Sequence, residues 1–69
     1  MVNYIWKRLS KEDVDRIVKQ YNLSSVEHQI IDLRRRGKNL AFIGDTVGYD
    51  ERHIRRLSAK ILDKIKIEL

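Results

Sequence analysis

The chain has 69 residues, with 15 lysines and arginines against 10 aspartates and glutamates, a formal charge of +5, and neither cysteine nor proline. A length of this order makes one domain with a thin margin of stability and leaves little chain to wall a catalytic cleft. Lack of cysteine excludes disulfides and thiolate zinc sites and fits a reducing cytoplasm; no apolar run approaches the roughly 20 residues that span a bilayer, and no secretory signal is visible.

Charge is unevenly spread. Residues 1–22 carry five positive and three negative side chains, residues 23–50 four of each, and residues 51–69 six positive and three negative. The excess therefore sits mainly near the C-terminus, where a basic helix would be an electrostatic footprint for nucleic acid.

In chain order, residues 2–6 read as a short extended segment. Tyr4 and Trp6, with Tyr21, are expected to pack it onto the rest of the domain; an exposed Trp6 would instead mark a partner surface. Ser10 to Asp13 approximates a capping box, with aspartate where glutamate or glutamine is usual, and Leu9 and Val14 stand at the positions of a hydrophobic staple. Val14, Ile17, Val18 and Tyr21 recur at helical spacing, which predicts a helix over 11–21. Asp13 and Asp15 fall on its solvent side.

Ser24 and Glu27 complete a full capping box. Val26, Ile30 and Leu33 form the stripe of a second helix, with Ile31 at its margin. Arg34, Arg35 and Arg36 follow near its C-terminal end, and Gly37 is the expected stop. These arginines are either partners of the helix dipole and solubilising charge, or a contact to DNA backbone or a partner protein.

Asn39 can cap a third, short helix over 40–47, with Leu40, Ile43 and Val47 on its buried face. Gly48 ends it. Asp50 then caps a fourth helix over 51–66, with Tyr49 and Ile54 at staple positions. The expected fold is all-α, a single four-helix domain over 1–69 without strands. It divides into an N-terminal segment and helix (1–22) and a helix-turn-helix unit (23–66) built on helices 40–47 and 51–66.

On the fourth helix Ile54, Leu57, Ile61 and Ile65 share one face. Arg52, Arg56 and Ala59 share the opposite face, flanked by Arg55 and Lys60. Two helices joined by a tight glycine-containing turn make the DNA-binding unit, whose second helix enters the major groove. Gly44, one turn before Gly48, lies where the two helices should approach most closely. Arg52 and Arg56 suit guanine, the commonest arginine contact in that groove, and the small Ala59 lets the helix sit close to base edges. Glu51 either accepts from a cytosine amino group or simply complements the helix dipole. Arg55 and Lys60 suit phosphates, which position without specifying. Lys38 and Asn39 can reach a phosphate through side chain and backbone amides, although capping alone accounts for Asn39.

These residues resemble the fourth conserved region of bacterial sigma factors, the part that reads the upstream promoter element. The resemblance runs from Leu23 to Ile65. It rests on Leu23, Ser24 and Glu27 opening the first helix, Ile43 and Gly44 in the next, and the run from Glu51 to Leu62 in the last. LuxR-type regulators share the same core, but Gly44, Ala59 and Lys60 favour the sigma-like group, and small sigma-like regulators of phages and mobile elements are nearest in size. The resemblance implies a bacterial, sequence-specific double-stranded DNA-binding transcription regulator, with Arg52 and Arg56 at base-contacting positions. The sigma region also contacts RNA polymerase, so the alternative is a protein-interaction module of the same fold that binds polymerase or a partner regulator without reading DNA.

Departures from the pattern bear on partners. Residues 1–22 do not resemble a sigma region that binds the downstream promoter element, so a complete sigma factor is not expected. Asp45 precedes the turn, and Asp63 lies on the stripe of Arg56 and Ala59, so groove contact should fade before Asp63. So short a reading surface calls for polymerase or a second copy; Ile65, Ile67 and Leu69 are the candidate seam of a homodimer. No catalytic constellation is present. His28 and His53 are not spaced with other ligands, so neither a metal nor a cofactor is expected.

Overall fold

The computed structural model describes residues 6–65. Four helices follow one another: α1 Lys11–Gln20, α2 Ser25–Arg35, α3 Leu40–Val47 and α4 Glu51–Ile65. No strand occurs among the described residues, and none of their helices is long and apolar enough to cross a membrane. The domain is all-α, as expected.

Each boundary has a local cause. The Ser10 hydroxyl accepts from the Asp13 amide at 3.1 Å, and the Ser10 amide donates to the Asp13 carboxylate at 3.0 Å. Ser24 and Glu27 repeat this at the start of α2, at 3.2 and 2.9 Å. Both are complete capping boxes, so aspartate serves in the first as glutamate does in the second. The staple pair Leu9 and Val14 is buried.

Helices α1 and α2 end alike. Asn22 at φ 52 and Gly37 at φ 84 take the left-handed conformation. The following amides then reach back, Leu23 to the Val18 carbonyl and Lys38 to the Leu33 carbonyl, each at 3.0 Å. This is the Schellman arrangement, which satisfies carbonyls that the helix itself leaves open.

One apolar core joins the helices. Helix α2 packs on α1, α3 and α4, and α3 packs on α4. Ile17, Ile30, Ile31, Ile43, Ile54, Ile61 and Ile65 are all fully buried. Isoleucine is stiff about its first side-chain torsion, so burial removes little rotamer freedom while gaining about 1.5–3 kcal/mol per side chain in transfer from water. Val18, Tyr21, Val26, Leu40, Val47, Leu57 and Leu62 pack at its margin, half-buried.

Four expectations need correction. Trp6 is not extended but closes a helical turn with Lys7, its carbonyl accepting from the Leu9 amide at 3.2 Å; residues 2–5, with Tyr4, lie outside the described part. Ile31 is not marginal but fully buried, because α2 is covered on two sides, by α1 and by the α3–α4 pair. Tyr49 is not buried at its staple position: it stays exposed, and its ring tilts against that of His53 at 4.5 Å between centroids. Ile65 is absorbed by the domain's own core and so cannot belong to a dimer seam, while Ile67 and Leu69 lie outside the described residues.

The first capping box carries a pH signature. The Asp13 carboxyl is held below its ordinary value, first by the Ser10 backbone amide, then by the Ser10 hydroxyl and Arg16. A depressed folded pKa contributes stability above the unfolded value, and that contribution disappears as pH falls through the folded one. Ser10→Ala is expected to cost about 1 kcal/mol, a fall of about 4–8 °C in Tm. It should also move the Asp13 titration, followed by carboxyl carbon NMR, part of the way upward, because the hydroxyl is lost while the backbone amide remains. An unchanged titration would show that the Ser10 hydroxyl has no part in holding the carboxyl down.

Candidate nucleic-acid interface

Helix α4 starts from a firm cap. Asp50 accepts from the His53 amide at 2.8 Å, which orients the first turn and places Glu51 where the helix dipole favours a carboxylate. Ile54, Ser58, Ile61 and Ile65 face inward. Arg52, Arg56, Ala59 and Lys60 are therefore turned to solvent, and all four are exposed. Arg52 and Arg56 stand one turn apart, about 6 Å along the axis, with Ala59 next on the same side. This is a narrow basic ridge with a small residue in it.

The junction with α3 sets the angle of that ridge. The Gly44 carbonyl accepts from both the Gly48 amide, at 2.8 Å, and the Tyr49 amide, at 3.0 Å. Gly48 turns left-handed, φ 85, to make this possible. The chain folds back over Gly44 so closely that a Cβ there would collide with the Tyr49 carbonyl oxygen. The close approach expected at Gly44 is present, but the opposing surface is the backbone of the turn rather than the body of α4.

The remaining expected site residues divide into two groups. Lys38, Asn39, Glu51, Arg55 and Ala59 line one groove, between the start of α3 and one flank of α4. Arg52, Arg56 and Lys60 lie outside it. Asn39 caps α3, its side-chain oxygen accepting from the Phe42 amide at 2.8 Å, so only its amide nitrogen remains for a phosphate. The Lys38 ammonium sits 5.0 Å from the centre of the Phe42 ring, which is itself exposed. Asp63 also lines the groove.

Lys7 and Ser58 also line the groove without having been expected there, and Arg34 joins them from the arginine run whose role the sequence leaves open. Arg34, Arg35 and Arg36 do not act as a block. Arg35 and Arg36 both pair with Asp32, at 3.0 and 3.6 Å. Arg34 instead lies over the Trp6 ring, 5.6 Å from its centre. Burial lowers the pKa of its guanidinium from the ordinary value, and the facing charge of Arg55 lowers it further. A signal for Ser58 does exist in the sequence, since it is a polar residue at a helical position between Ile54, Ile61 and Ile65. Nothing comparable marks Arg34, whose exposure depends on where Trp6 lands.

No group of three or more histidines, cysteines or carboxylates stands close enough to hold a metal among the described residues. Comparison with protein-family models, with curated proteins and with solved structures gives no match.

Proposed function

We propose that the chain is a sequence-specific double-stranded DNA-binding transcription regulator of the sigma-region-4-like helix-turn-helix class. Helix α4 would dock in the major groove. The observation that carries this reading is the exposed ridge Arg52, Arg56, Ala59 and Lys60 on a helix whose opposite face is locked into the core. A helix fixed in this way presents its arginines without having to be ordered on binding, and a bidentate arginine–guanine pair is worth about 1–3 kcal/mol of discrimination. Arg55 and Lys38, on the flank, suit phosphates on either side of the groove.

The test is selection of bound duplexes from a random pool, with and without RNA polymerase. Symmetry in the selected site reports a second copy of the chain. Against the selected duplex, Arg56→Ala should lose about 5- to 150-fold in affinity while nonspecific binding changes little. Equal binding of every duplex by wild type and variant would remove Arg56 from the reading surface. Phosphate contacts also require affinity to fall steeply with added salt.

The exposed Phe42 on α3 favours a second reading, in which the same fold grips polymerase or another regulator and reads no base. Binding to a protein partner with no duplex binding at low salt selects it.

A further inference from the structure

The groove between α4 and the start of α3 has a volume of about 630 Å³, within the usual range of small-molecule sites. Its chemistry is one-sided. Lys7, Arg34, Lys38 and Arg55 bring four cationic groups to it, against the carboxylates of Glu51 and Asp63. Neither Arg34 nor Arg55 forms an ion pair with a described carboxylate, and the Arg34 Nε is buried without an acceptor. Ser58, 2 % exposed, also lines the groove, and its buried hydroxyl has no hydrogen-bond partner. Asn39, the cap of α3, and Leu40, its first residue, line the same groove, and amides at a helix start favour anions.

Unpartnered buried polar groups are costly and rare, and two beside one groove call for an explanation, an ordered water or a bound ligand. The Arg34 Nε can only donate, and the Ser58 hydroxyl is free to donate. A neutral ligand could accept from both but would leave the charge of the two guanidiniums without a counter-ion, and a cationic one would add to it. A carboxylate offers two oxygens. A phosphate monoester offers three and close to two negative charges, which matches Arg34, Arg55 and Ser58 together. A duplex backbone phosphate has two of its oxygens tied to sugars and sits on a broad surface, so it is poorly shaped to reach a hydroxyl this deeply buried.

We propose that this groove is a binding site for a terminal phosphate, carried by inorganic phosphate or a small phosphomonoester, with Arg34 and Arg55 as its ligands and Ser58 joining them once its hydroxyl rotates about the Cα–Cβ bond toward the groove. Leu40 and Leu62, on the groove walls, would meet the body of the ester. The site shares Arg55 and Lys38 with the DNA reading but does not depend on it.

The experiment titrates the full chain with inorganic phosphate, following the Arg34 side-chain Nε–H and the Ser58 amide by NMR, with chloride and acetate at equal ionic strength as controls. Saturable shifts with phosphate alone are expected. Ser58→Ala loses no hydrogen bond within the protein and Arg55→Gln alters an exposed side chain, so both should fold. Each should weaken phosphate binding about tenfold or more, the usual worth of a hydrogen bond to a charged group. Phenyl phosphate should shift the same resonances. Shifts that do not saturate, that acetate reproduces, or that both variants retain would overturn the site. Saturation seen only with a short duplex lacking terminal phosphates would overturn it too, and would assign the groove to DNA backbone.

Discussion

Trp6→Ala is expected to leave the chain without a cooperative unfolding transition. Trp6 is completely buried, and together with Leu9 it ties the segment before α1 into the common core. Truncating a buried tryptophan to alanine costs about 3–5 kcal/mol. A single core in a domain of this size rarely supplies more than about 3–5 kcal/mol in all, so the loss consumes the whole margin. Circular dichroism during urea unfolding measures it. Trp6→Phe separates packing from the rest: it keeps most of the apolar ring and removes an indole N–H that has no acceptor in the folded domain. That variant should retain a sharp transition at a lower midpoint. A Trp6→Ala midpoint close to wild type would mean that the segment around Trp6 is an appendage and not part of the fold.

The second large effect is one of sign. Glycine to alanine inside a helix normally stabilises by about 1 kcal/mol. Gly44→Ala should do the opposite, by about 3 kcal/mol, the upper end of the range for overpacking. The obstacle is the Tyr49 carbonyl, pinned because the Gly44 carbonyl holds the amides of Gly48 and Tyr49 from the other side. Backbone held in that way cannot rotate aside as a side chain would. Relief requires opening the α3–α4 junction, which swings the arginine ridge, so duplex binding should fall with stability. Gly48→Ala is the control. A Cβ there meets nothing within 4 Å but sits at φ 85, so the cost is conformational only, about 1–2 kcal/mol. If Gly44→Ala proved the more stable of the two, the tight turn described here would be wrong.

Much of this architecture could be read from residue order because its causes are local. A capping box needs only residues three apart, so Ser10 with Asp13 and Ser24 with Glu27 announce the starts of α1 and α2 within a residue. Left-handed glycines mark their own positions in the same way, as Gly37 and Gly48 do. The apolar stripe of α4 predicts its solvent face, and with it the exposure of Arg52, Arg56, Ala59 and Lys60, because one helix period fixes both faces at once.

What escaped prediction involves contacts between elements. Whether Ile31 is marginal depends on how many neighbours cover α2. Whether Ile65 is free depends on how far the core reaches along α4. Tyr49 has the right spacing for a staple, yet its ring stays exposed beside that of His53. Arg34, Arg35 and Arg36 are chemically identical in sequence, and only the position of Trp6 and Asp32 separates a half-buried guanidinium from two paired at the surface. The helices, their caps and the reading ridge thus follow from interactions within a few residues, whose geometry the backbone period dictates. The groove, its unpartnered Ser58 hydroxyl and its facing arginines arise only when Lys7, Arg34 and the start of α3 meet α4, because burial is a property of the packed whole and not of any one segment.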